Sequence, residues 1–337
     1  MLDDGAPCST SPPSGTNPIT AVSTLTSASP TTGSSTNYLL VGDSVGKLTA
    51  WSVPNSSALP SVICTATASA KIQGVAAQYG SSSTVYVVSG GTLEYDTLTS
   101  SGCSSTTTTT VGTTGSVVGL ALAHGYVYGI SSTGKYFSIL AGSTSPSSIS
   151  TPSTLPNLPS TATIGGMTAD PNNNIVFVTD YTNSAIYAYY AHSNGTLSSI
   201  NGNFSGNVDI TNPKAITTVY APIGTTNGCP NGSSGPCEFL YVTNYSSAVV
   251  QLVLSVSGSG TSTSIGYTEF NAPYTDCEII NPLAMTSFSN VNAISGTLSA
   301  PWVFIGQNGT SSGPCQGLGS GTTYGNGVTA YNLSPNP

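Results

Sequence analysis

Ile175-Val176-Phe177-Val178-Thr179-Asp180 follows an apolar run at 164–169, from which it is separated by Asp170-Pro171-Asn172-Asn173-Asn174. Pro and Asn suit the dihedrals of a tight reversal, so the pair reads as a hairpin of two strands. Residues 185–191 and 196–200 continue it as a third and a fourth strand. Five further segments share the apolar, mostly aromatic-centred core: Leu39-Leu40-Val41-Gly42-Asp43, Val85-Tyr86-Val87, Val127-Tyr128-Gly129-Ile130, Leu240-Tyr241-Val242-Thr243-Asn244 and Val303-Phe304-Ile305-Gly306. Their central positions, 40, 86, 128, 177, 241 and 304, are spaced by 46, 42, 49, 64 and 63 residues. Several strands per period of this length is the pattern of a propeller blade. The reading is an all-β protein: a β-propeller of four-stranded antiparallel blades, six of them legible and a seventh possible.

The same pattern predicts strands at 19–26, 38–43, 47–53 and 61–68 in the first unit, and at 72–78, 84–89, 92–97 and 106–111 in the second. The third has 117–123, 126–131, 136–140 and a weak outer strand near Leu155. The fifth has 215–220, 239–244, 249–256 and 264–270. The sixth has 283–288, 302–306 and 327–333, with no obvious fourth strand. Either that strand is weak or missing, or another chain supplies it, since propellers avoid open edges. Residues 1–17 read as a flexible Pro/Ser/Thr/Gly leader, and 18–337 as a single propeller domain. Gly/Ser/Thr/Asn/Pro insertions at 221–237 and 306–325 lengthen the last two periods and are expected to decorate one face.

Charge is sparse. Four lysines (Lys47, Lys71, Lys135, Lys214) and no arginine stand against twelve acidic residues, a net charge of -8. Nucleic-acid binding needs clustered cations and is excluded on this count. Solubility then rests on hydroxyls and amides, which suits an extracellular or cell-surface setting. The 18 tyrosines within alternating strand patterns argue against disorder. The start of the chain, Met1-Leu2-Asp3-Asp4-Gly5, lacks the apolar core of a signal peptide, and no transmembrane segment is legible.

The seven cysteines follow no zinc-binding spacing and point to disulfides. Cys229 and Cys237 bracket a short loop. Cys64 and Cys103 follow equivalent parts of successive units, and Cys277 and Cys315 flank the last core. Cys8 is left over, as a free thiol, an intermolecular bridge or part of an anchor. Asn55, Asn194, Asn203, Asn231, Asn244, Asn308 and Asn332 each begin an Asn-x-Ser/Thr sequon, without enrichment over chance.

Leu240-Tyr241-Val242-Thr243-Asn244 with Tyr245-Ser246-Ser247-Ala248-Val249 resembles the repeat of YVTN-type β-propellers. Val176-Phe177-Val178-Thr179-Asp180 through Tyr187, and His192-Ser193-Asn194-Gly195-Thr196-Leu197, are similar to it. The resemblance is strongest over 160–260. It implies membership of a group that includes seven-bladed lactonase-like enzymes and many surface-layer or secreted proteins. The lactonase-like members, as the resemblance implies, use His, Glu and Arg around the central channel.

Here arginine is absent. His124 falls in a turn of the third unit and His192 at the end of a third strand, both away from the innermost strands. Asp43, Asp180 and Asn244 recur after second-strand cores and read as turn caps. Glu94 and Asp96 alternate along one strand and are expected to face solvent together. Glu238, Glu269, Asp276 and Glu278 form a loose group that is weak as a calcium site. Trp51 and Trp302 are candidates for carbohydrate stacking, with blade packing as the plainer role. No catalytic residue, metal ligand or cofactor is assigned. The expected function is a non-enzymatic structural or assembly role, with the chain itself or other surface components as partner. A lactonase-like hydrolase and a carbohydrate-binding propeller are the alternatives.

Overall fold

The computed structural model describes residues 17–27, 36–53, 61–78, 83–99, 102–103, 109–145, 149–170, 172–200, 210–221, 237–244, 248–275, 282–288, 302–307 and 328–332. Blade 1 comprises β1 (Ile19–Ser27), β2 (Thr36–Asp43), β3 (Lys47–Val53) and β4 (Ser61–Thr67). Blade 2 comprises β5 (Ile72–Gln78), β6 (Ser83–Ser89) and β7 (Thr92–Thr99), with β8 (Gly102–Cys103) and β9 (Thr109–Thr113) both pairing β7. Blade 3 is β10 (Val117–Ala123), β11 (Tyr126–Ser131), β12 (Lys135–Leu140) and β13 (Ser153–Thr154). Blade 4 is β14 (Ile164–Asp170), β15 (Ile175–Asp180), β16 (Ala185–Ala191) and β17 (Leu197–Ser199). Blade 5 is β18 (Pro213–Ala221), β19 (Cys237–Asn244), β20 (Ala248–Ser257) and β21 (Ser264–Thr275). Blade 6, among the described residues, has three strands: β22 (Pro282–Phe288), β23 (Trp302–Gln307) and β24 (Val328–Asn332).

Each strand core packs on both sides, which explains why it reads as an apolar run. Side chains alternate across a strand, so successive residues enter successive blade interfaces. Tyr38 and Leu40 join the cluster shared with blade 2, while Leu39 and Val41 join Phe304 of blade 6. Val176 and Val178 face blade 3, and Ile175 and Phe177 face blade 5. Phe239 and Tyr241 meet Val303 and Ile305 of blade 6. The first strands pack in sequence around the axis: β1, β5, β10, β14, β18, β22 and back to β1. Among the described residues the ring therefore closes at six blades, and β1 lies directly against β22.

The inner strands are equivalent residue by residue. The first residue of each pairs with a polar residue ending the second strand: Ile19 with Asp43, Ile72 with Ser89, Val117 with Ser131, Ile164 with Asp180, Pro213 with Asn244 and Pro282 with Gln307. A register shift follows every time. Two residues on stands a small side chain or none: Ala21, Gly74, Gly119, Gly166, Ala215 and Ala284. Adjacent inner strands approach closely there.

Five residues on, a hydroxyl ladder crosses the seam. Thr24 Oγ1 donates to Ser287 O at 2.6 Å, Ser287 Oγ to Thr218 O at 2.5 Å, and Thr218 Oγ1 to Ala169 O at 2.8 Å. Each hydroxyl reaches the same carbonyl of the preceding blade, so the junction of blade 6 with blade 1 is tied like its neighbours. Thr24→Val keeps the shape and removes the donor. It is expected to cost about 1–2 kcal/mol, because the Ser287 carbonyl loses that partner. Urea unfolding of the variant beside the parent checks this.

Candidate functional site

Lettering the strands of a blade a to d from the axis outward, one face carries the a–b and c–d turns. The other carries the b–c turns and the links between blades. The repeated polar position lies on this second face. Asp43 Oδ1 accepts from the amides of Val45 at 3.0 Å and Lys47 at 2.8 Å. Ser131 Oγ accepts from Lys135 N at 3.0 Å. Ser89 Oγ accepts from Ala70 N and donates to Ala70 O, each at 2.7 Å. Asn244 Oδ1 accepts from Thr211 N at 3.1 Å. Asp180, 0 % exposed, accepts at Oδ1 from Thr163, Thr182 and Asn183 amides, and at Oδ2 from Asn183 Nδ2 at 2.7 Å. Asp43 and Asp180 are turn caps as their spacing leads one to expect, and Ser131 caps its turn likewise, while the bonds of Ser89 and Asn244 fasten the incoming link from the blade before, as Asp180 also does.

The a–b face holds the unusual chemistry. Asp170 ends β14 beside Ile175, and Glu238 lies between Tyr220 and Leu254 in blade 5. Ile175 and Leu254 belong to one apolar cluster, so both carboxyls point into the interface of blades 4 and 5. Asp170 is 0 % exposed and Glu238 is 9 % exposed. Asn173 Nδ2 bridges them, donating to Asp170 Oδ2 at 2.6 Å and to Glu238 Oε2 at 3.2 Å. The Asn172 amide donates to Asp170 Oδ1 at 2.8 Å. Burial, then the neighbouring Asp170 charge, push the Glu238 carboxyl up to about 9. Near neutral pH it holds its proton and can donate it to Asp170 in a hydrogen bond.

Both histidines lie on this face, outside the inner strands as expected, yet packed rather than free in solvent. His124 and Gly125 occupy a two-residue hairpin with φ of 46° and 74°, a type I′ geometry that Gly takes without strain. The turn delivers His124 Nδ1 to Ala191 O of blade 4 at 2.7 Å. A carbonyl only accepts, so Nδ1 carries the hydrogen. His192 Nε2 lies 2.9 Å from Ser198 Oγ. Both rings meet Tyr190 edge-on, at 6.3 and 5.1 Å. Nothing in the local sequence shows this grouping, which joins residues of two blades.

Glu94 and Asp96 depart from expectation: they are 1 % and 3 % exposed. They pair in register with Val87 and Val85, which face blade 1, so their row points into an interface. The link between blades 1 and 2 supplies compensation there, since Ser69 donates to Glu94 from its amide at 3.3 Å and from its hydroxyl. Asp96 Oδ1 accepts from Thr97 N at 2.8 Å. Trp51 packs against the seam cluster of blades 6 and 1, as blade packing requires. Trp302 lies on β23, its side chain outside the described residues, as are those of Glu269, Asp276 and Glu278. Among the described residues no three metal-ligating side chains cluster.

Cys64 is disulfide-bonded, and β8, which bears Cys103, packs against β4, which bears Cys64. Cys237 lies on β19 with its side chain outside the described residues, and Cys8, Cys229, Cys277 and Cys315 also fall outside them. Of the sequon asparagines, Asn194 is exposed in a turn, its Oδ1 accepting from the Thr196 amide at 3.1 Å. Asn244 is 4 % exposed and committed to Thr211. Asn55, Asn203, Asn231 and Asn308 lie outside the described residues, as does the Asn332 side chain.

The strand pairing and the closed ring define a β-propeller. No protein-family profile matches the sequence, and no curated protein matches it. Among solved structures the chain is similar to a 6-phosphogluconolactonase-like protein from Bacteroides uniformis, with 14% identity, 85% of this chain and 77% of that one covered, and a TM-score of 0.48. It is also similar to the WD40 β-propeller domain of Doa1, with 10% identity, 94% and 93% covered, and a TM-score of 0.46.

Proposed function

We propose that this propeller is a non-enzymatic scaffold of the extracellular space or cell surface, built to associate with copies of itself or with other surface components. The observation that carries the reading is the commitment of its polar side chains. The recurring position at Asp43, Ser89, Ser131, Asp180 and Asn244 is devoted to backbone groups of turns and links. Glu94 is likewise committed, and His124 staples one blade to the next.

A disulfide at Cys64 fits an oxidising compartment. We assign its partner as Cys103, because β8 lies against β4. The exposed Asn194 turn suits glycan attachment. Blade 6 has three strands among the described residues, and a strand added beside β24 by a neighbouring copy completes the four-strand pattern. The charge-poor, tyrosine-rich composition favours such contacts.

Electron microscopy of native, unreduced protein tests the assembly: ordered filaments or sheets are expected, and isolated discs at every concentration rule it out. Peptide mapping without reduction should recover Cys64 linked to Cys103. A panel of lactones should be left unhydrolysed, and turnover would favour the hydrolase.

A further inference from the structure

The carboxyl pair between blades 4 and 5 has no role in the scaffold reading beyond packing, yet its geometry is costly unless a proton is present. Two carboxylates buried side by side repel each other and lose hydration, and Asn173 has a single amide nitrogen to offer both. The chain's cations lie elsewhere. Lys214 is near the start of β18, toward the opposite face from Glu238, and Lys47, Lys71 and Lys135 belong to blades 1 to 3.

We propose that Asp170, Asn173 and Glu238 form a one-proton latch that holds blades 4 and 5 together in acid and at neutral pH, and loosens in alkali. With Glu238 protonated, its O–H donates to Asp170, whose other contacts are the Asn172 amide and Asn173 Nδ2. When the proton leaves to solvent, that bond becomes a repulsive contact between anions. The latch lies one residue beyond the Thr218 Oγ1 to Ala169 O rung, so its failure strains the adjacent tie of the same interface.

The other titratable groups on the flanking elements are accounted for. From blade 4 come Tyr190, in register with Ile175 on the same side of the sheet, and His192 against the Tyr190 ring. Asp180 is at the far end of β15, and Tyr187 and Tyr189 pack toward blade 3. From blade 5 comes Tyr267 on β21, with Tyr220, Cys237 and Glu269 on the same strands but with side chains outside the described residues, while Tyr241 packs toward blade 6. All these remain in a Glu238→Gln variant, so its comparison with the parent isolates the latch.

The sign follows from proton counting. Glu238 rises from an ordinary value of 4.5 to about 9 on folding, so between those values the folded chain binds more protons than the unfolded one. Stability therefore falls as pH rises through that window and levels off above it. Urea unfolding of parent, E238Q and D170N across about pH 5 to about pH 10 tests this. The folding constant of the parent should drop relative to E238Q by up to about tenfold per pH unit, a trend weakened in D170N. Parallel profiles for parent and E238Q overturn the latch.

Should E238Q fail to fold, infrared spectroscopy of the parent decides the matter. A protonated carboxylic acid band is expected at neutral pH. It should vanish in alkali as amide exchange quickens in β14 and β19 ahead of the equivalent strands of the other blades. Absence of that band at neutral pH, or uniform exchange across the blades, overturns the proposal.

Discussion

Gly166→Ala should lower the unfolding free energy by about 2–4 kcal/mol, a large effect for one methyl group. The added Cβ would land on the Lys214 carbonyl oxygen of blade 5, well inside van der Waals contact. That atom belongs to a neighbouring inner strand and cannot turn aside as a side chain would. Thr179 Oγ1 shares its one hydrogen between this same carbonyl at 3.1 Å and Gly166 O of its own blade at 3.3 Å, so separating the two inner strands also breaks the tie to Lys214. Gly119 is the equivalent residue in blade 3, and there a Cβ meets Met167 Cγ at 3.1 Å. Methionine is flexible, and Gly119→Ala should cost less than about 1 kcal/mol. Urea unfolding of the two variants gives the comparison. Equal costs would show that loss of glycine, and not the approach of blade 5, sets the penalty.

Asp180→Ala is expected to cost about 3–4 kcal/mol, since it strips partners from three backbone amides and from Asn183 Nδ2 at a fully buried position. Two of the amides belong to the b–c turn of blade 4, while Thr163 belongs to the link from blade 3. The variant should therefore show faster amide exchange on both sides of the interface. Asp180→Asn retains an acceptor for the backbone amides and turns its new NH2 toward Asn183 Nδ2. It should cost about 1–2 kcal/mol, consistent with blade 5 using Asn244 at the same position. Thermal unfolding and hydrogen exchange together check the order Ala worse than Asn. A stability loss without altered exchange at the link would limit Asp180 to its own turn.

The caps at Asp43 and Asp180 were legible in sequence because capping is a local act, whereas Asn244, expected to cap likewise, bonds the link at Thr211. The acceptors at Asp43 and Asp180 serve amides two to four residues on, and a polar residue after an apolar core before a turn announces it. The links held by Asp180 and Asn244, at Thr163 and Thr211, were not legible. The fate of Glu94 and Asp96 shows where the local rule fails. Alternation placed them on one side of β7, and in an isolated hairpin that side is wet. Here both sides of β7 are interfaces, blade 1 on one and blade 3 on the other, so the same alternation buried them.

The carboxyl latch and the His124–Tyr190–His192 group lay further out of reach. Asn173 and Glu238 are 65 residues apart, and His124 and Ala191 are 67 apart. Each pair meets because one blade is stacked on the next. Strand order, the turn caps at Asp43 and Asp180 and the apolar centre of each second strand follow from a two-residue period and turn chemistry, which the chain carries within a few positions. The closing of the ring at six among the described residues, the hydroxyl ladder across its seam and the shared proton of Asp170 and Glu238 depend on how twisted sheets pack around an axis. That packing brings together residues a whole blade apart, and it exists only in the folded ring.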